Sequence, residues 1–253
     1  MNAGGVFLKL QTIRVRRIRP SAPALALALA LTMLFVYLIS LSAGSRKVES
    51  DTAAASAAGE AEVRMEALEA AFVCDALCDD LTEARVAAAN CASGGGAGIL
   101  LRENEQYAVV REAVSPDAAP EGAVFRSANG LTLRLSGPAA DVAAISDAVA
   151  FLRAQATEMG SLAAALESGG TDAKSIAALL QVYGTQGARA RDALEGISAP
   201  DGTVALLMSA VQSELDRLDA AIASPDAGKI RLIHAAACAE WISLLNTLSG
   251  SVT

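Results

Sequence analysis

His234 is the only histidine among 253 residues, and Cys238 follows it four positions later. On a helix the two share a face, with Trp241 close by at i+7. A thiol beside an imidazole is what a cysteine nucleophile needs, and any Ser/His/Asp or Cys/His engine here would have to use this one histidine. A lone histidine also disposes of most zinc hydrolase arrangements. A packed or rim histidine explains the same residues. The expectation is a non-enzymatic protein with no catalytic residue, no metal site and no cofactor.

The other thiols are Cys74, Cys78 and Cys91. Cys74 and Cys78, four apart on one helix, would point side by side in poor bridging geometry. Their C-x3-C spacing has no nearby histidine or second pair to complete a zinc site. They read as small buried thiols on helix faces, with a bridge through Cys91 or Cys238 left open. Gly94-Gly95-Gly96-Ala97-Gly98 invites comparison with a phosphate loop. The order is wrong, because such a loop follows a strand and opens a helix. Gly228-Lys229 lacks the Ser/Thr and upstream glycine of a Walker loop. Asp79, Asp80, Glu83, Asp216 and Asp219 fall where a solvated helix face is expected.

The elements that must carry these residues begin with an apolar run. Ser21 to Ala43 is 23 residues without a charge. At ~1.5 Å per residue it can cross a hydrocarbon core of ~30 Å. Lys9, Arg14, Arg16, Arg17 and Arg19 precede it, and no acidic residue occurs before Glu49. That bias predicts a cytoplasmic tail (1–20), a transmembrane helix (21–43) retained as a signal anchor, and everything beyond it outside the cell. A cleaved signal peptide is the competing reading, with Ser40-Leu41-Ser42 or Leu41-Ser42-Ala43 before the cut. After Lys47 the chain carries 13 basic and 28 acidic residues, a net of about −15. Such a surface repels phosphates, which argues against nucleic acid as a partner.

Residues 44–61 have no hydrophobic period and read as a linker. Residues 62–136 read as a small α+β unit. Val63 to Phe72 partly alternates, Asp75 to Asn90 is helical, and the glycine run ends that helix. Ile99-Leu100-Leu101 and Gln106 to Val114 form a hairpin about Glu103-Asn104-Glu105. Val124-Phe125-Arg126, Asn129-Gly130 and Leu131 to Leu135 suggest a second hairpin. From 137 to 253 four apolar stripes step by threes and fours. They are separated by Ser168-Gly169-Gly170-Thr171, Ser198-Ala199-Pro200-Asp201 and Ser224-Pro225-Asp226. Short joints of this kind predict an antiparallel four-helix bundle.

Ala70-Ala71-Phe72, the helix with Glu83-Ala84, Gly94 to Leu100 and Gln106-Tyr107-Ala108-Val109-Val110 together resemble the SPOR (sporulation-related repeat) domain. The likeness covers about 50 of the 253 residues. It departs from the family pattern at Leu68, Ala108 and Arg111, and its second helix is cut down to Ser115–Ala119. The resemblance implies the order strand, helix, strand, strand, helix, strand, and an open sheet face that binds peptidoglycan glycan strands. On that face it implies Phe72 and Tyr107 as stacking residues and Arg102 as a hydrogen-bond donor. The expected architecture is therefore α+β: one N-terminal transmembrane helix, a SPOR-like domain and a C-terminal antiparallel four-helix bundle. The expected function is a membrane-anchored extracytoplasmic protein of the bacterial cell envelope that meets peptidoglycan in division or sporulation. The alternative is a membrane-tethered interaction scaffold that docks envelope proteins through the bundle.

Overall fold

The fold comes from a computed structural model, in which residues 59–250 are described. The described residues all belong to one compact unit. Strands β1 (Gly59–Met65), β2 (Leu68–Cys78), β3 (Ile99–Glu103), β4 (Gln106–Val114), β5 (Val124–Ala128) and β6 (Leu131–Gly137) are accompanied by helix α1 (Leu81–Ser93). Four long helices follow: α2 (Ala139–Glu167), α3 (Ala173–Glu195), α4 (Gly202–Ala223) and α5 (Ala227–Gly250). β1 and β6 form an antiparallel ribbon with Gly59 opposite Gly137. The other four strands form an antiparallel sheet in the order β3–β4–β2–β5.

Local chemistry sets most of the boundaries. The Asp80 carboxylate accepts from the Thr82 and Glu83 amides at 2.7 and 3.0 Å and so opens α1. The helix stops at the glycine run, where Gly95 has φ +83° and Gly98 φ +66°. A side chain at Gly96 would lie 2.4 Å from the Cys91 sulfur. The run thus folds tightly under α1 and delivers the chain to β3 alongside β4, whose Val110 carbonyl accepts from the Gly98 amide at 2.9 Å. In the bundle Asp172 and Asp201 cap α3 and α4 through the Ser175 and Val204 amides, and Asp226 receives the Lys229 amide as α5 begins. The three joints and four stripes fall where the sequence put them. Gly187 is part of its stripe because Phe151 and Leu215 fill the space a side chain would need.

The expected architecture requires correction. Among the described residues no helix is long and apolar enough to cross a membrane. The longest, α2, carries Asp141, Asp147, Arg153, Glu158 and Glu167, charges that a bilayer interior would not tolerate. The span expected at 21–43 lies outside the described residues. The second helix implied by the SPOR resemblance is a single 3-10 turn, Pro116–Ala118. The second hairpin is absent as well, since β5 pairs with β2 and β6 with β1. Asn129-Gly130 carries the chain from one sheet to the other. An added Cβ at Gly130 would meet the Met65 carbonyl and the Ala67 amide at 2.9 Å, so glycine is needed for this backbone crossing. Cys74 and Cys78 belong to β2 and not to a helix.

One hydrophobic core runs from Val63, Met65, Phe72 and Val110 through the four long helices. A smaller cluster of Cys78, Ala84, Ala88, Cys91 and Val109 joins α1 to the other side of the sheet. The Trp241 indole donates to the Glu66 carbonyl at 3.0 Å, tying α5 to the β1–β2 turn. The helices and the sheet therefore hold one another in place.

Candidate functional site

The three residues named for glycan binding do not come together. Phe72 has no exposed surface and packs in the core beneath α5. Arg102 lies opposite Tyr107 in the β3–β4 ladder, with Arg102 exposed and Tyr107 half-buried against the α1 cluster. Ala108, the neighbour of Tyr107, faces the main core with Phe72. Successive strand residues alternate faces, so the trio divides between the two sides of the sheet. The side holding Phe72 is covered, which leaves no aromatic platform there.

His234 and Cys238 do come together, but around a backbone carbonyl. The Cys238 thiol donates to the Ala156 carbonyl at 3.3 Å. The His234 ring faces the carbonyls of Ala156 and Ala113. Its Cε1 lies 2.7 Å from where a Cβ on Gly160 would sit, so α2 is notched to admit it. Burial pushes the Cys238 thiol up to about 12 and holds His234 below its ordinary value. A thiol that keeps its proton and has no opening before it is a poor nucleophile. All four cysteines are free. Among the described residues no group of three His, Cys, Asp or Glu side chains could hold a metal ion.

A groove of about 640 Å³ lies between β5 and the C-terminal half of α5. Phe125, Arg126 and Ser127 form one wall; Ile242, Ser243, Asn246 and Thr247 form most of the other. β5 is an edge strand, paired only with β2, so its second side carries backbone donors and acceptors with no strand to meet them. Phe125 is 61% exposed, the most exposed large apolar side chain among the described residues. Arg126 donates to the Arg102 carbonyl at 2.6 Å and pairs with Glu103 at 3.3 Å. β3 and β5 are the two edges of a four-stranded sheet, roughly 14 Å apart if it were flat. For Arg126 to span them the sheet must curl, and the bulges in β2 at Val73/Cys74 and Cys74/Ala76 supply the bend.

Sequence reasoning did not find this site. One signal was present: Ile242 is apolar but lies off the Ile230–Ile233–Ala237–Trp241–Leu244–Leu248 stripe. No family model, no curated protein and no solved structure matches this chain.

Proposed function

We propose that this chain is a non-enzymatic docking module that takes an extended segment of a partner protein along the free side of β5. The exposed Phe125 on an unpaired edge strand, beside a groove with an apolar floor and a hydroxyl- and amide-bearing wall, carries this reading. Backbone groups of the incoming segment would complete the ladder, as in strand addition generally. Apolar side chains on one face of the segment would lie against Phe125, and on its other face Ser243, Asn246 and Thr247 of α5 would bond the segment's polar groups. The net acidity after Lys47 disfavours acidic partners. The basic-then-apolar N-terminal sequence is the ground for placing that partner in the cell envelope, and protease added to intact cells tests the location separately.

Selection of a random peptide library on the full chain tests the docking itself. The expected result is a set of peptides with a shared alternating apolar pattern, whose binding is lost in Phe125→Glu and kept in Tyr107→Ser. Failure to select any binder, or binding indifferent to Phe125→Glu, overturns the proposal.

A further inference from the structure

Within the bundle, Arg217 of α4 lies between two carboxylates. Its Nη1 reaches Glu214 Oε1 at 2.6 Å and Glu240 Oε2 at 2.9 Å, and its Nη2 reaches Glu240 Oε1 at 3.3 Å. Glu214, on α4, is completely buried, and its Oε2 has no hydrogen-bond partner. Glu240 comes from α5. Beside the two carboxylates is a cavity of about 10 Å³ walled by Leu152, Ala237, Trp241 and Leu244, room for about one water molecule.

Charge counting decides the state of this cluster. With both carboxylates ionised, one guanidinium faces two negative charges; Glu240 is a third exposed and reaches water, so the charge left against hydrocarbon, with one oxygen unsolvated, is that of Glu214. A buried charge of that kind is expensive unless paired. We propose that the Glu214–Arg217–Glu240 cluster is a proton-operated latch between α4 and α5, closed while one proton is held on Glu214 and opened to water when that proton leaves.

The surroundings are consistent with this. Burial, ahead of the opposing pull of Arg217, pushes Glu214 up to about 8, and the Glu240 charge pushes the same way. α2 contributes Arg153, whose guanidinium carbon lies 5.9 Å from the centre of the Trp241 ring and whose Nη1 is buried without a partner. The thiol of Cys238 on α5 feels both Arg153 and Glu214. The titratable group that α3 buries, Tyr183, donates instead to Glu158 on α2. The protonated form of Glu214 is the one the closed bundle accepts. Its stabilisation relative to the unfolded chain is complete at pH 4.5 and below, and is lost as pH rises toward about 8.

Trp241 is the only tryptophan in the chain and lines the same cavity, so its fluorescence reads the latch directly. In the full chain titrated from pH 6 to 10, the emission is expected to shift to the red with a midpoint near 8. Glu214→Gln, which mimics the protonated carboxyl, removes the transition. Glu240→Gln leaves one carboxylate for one guanidinium and moves the midpoint to lower pH. Wild-type emission that stays constant across the range overturns the proposal, as does a transition that survives unchanged in Glu214→Gln.

Discussion

Arg231 on α5 donates a 2.7 Å hydrogen bond to the carbonyl of Gly95, across 136 positions of sequence. The same guanidinium meets Glu112 of β4 at 3.4 Å and bonds Glu167 at the end of α2. Only 17% of this side chain is exposed, so one residue holds together the glycine loop, the sheet and two helices. Arg231→Met should cost about 2–3 kcal/mol, the range for breaking charge-assisted hydrogen bonds in a partly buried site. Arg231→Lys should recover only part of that, because a single ammonium cannot serve three directions at once. Urea titration checks this, with the midpoint falling and the slope unchanged.

Gly160 and His234 test the notch in α2. Gly160→Ala places a methyl into the imidazole and should cost about 1–3 kcal/mol through overpacking. Combining it with His234→Ala should cost less than the sum of the two single changes, since the clash has been removed. Strict additivity in the double-mutant cycle would contradict the contact.

His234 also sets an acid limb. Its folded value lies below the ordinary 6.5, chiefly through burial, so the unfolded chain takes up a proton before the folded one does. Stability should therefore fall as pH drops from 6.5 toward the pH at which the buried ring protonates. His234→Gln should flatten the curve in that window, as followed by thermal unfolding at a series of pH values.

Much of the bundle is legible in the sequence alone, because its helices are marked in two independent ways. An aspartate at the start of α3, α4 and α5 meets an amide three residues on, and a stripe of period 3.6 then marks the buried face. The sheet is less legible. β2, LEAAFVCDALC, is rich in helix-forming Leu, Ala and Glu, and it is a strand because β4 and β5 pair with it on both sides. Asn129-Gly130 has hairpin chemistry, yet its glycine answers to Met65 and Ala67, which no local window contains. The sequence marked Phe72 as a platform and gave Phe125 no part in binding. The difference between them is which face α5 covers, and that is decided by residues more than 100 positions away.

That contrast gives a paired test. Phe72→Ala empties the core and should cost about 3–5 kcal/mol, measured by denaturant unfolding. Phe125→Ser should stay within about 0.5 kcal/mol of the parent chain, because that ring is mostly in water already. A large loss for Phe125→Ser would mean that the ring supports the fold and is not a docking surface.

Thiol labelling should follow burial. Cys74, partly exposed at the bulge of β2, should react with a maleimide in the native chain. Cys238, which is 2% exposed and keeps its proton up to about 12, should react only after unfolding. Mass spectrometry of labelled peptides distinguishes them, and rapid native labelling at Cys238 would contradict its placement.

The pairing of Gly59 with Gly137 bears on how the molecule carries tension. A pull arriving along the chain at Gly59 meets β6 at once, and β6 leads through Pro138 directly into α2. Force arriving there loads that ribbon first, opening it rung by rung like a zip, before it reaches the Trp241 and Arg153 contacts that fasten α5 and α2 to Glu66. The curled sheet between the two glycines hangs beside the line of strain, so β5 keeps its shape while the strand ends give way.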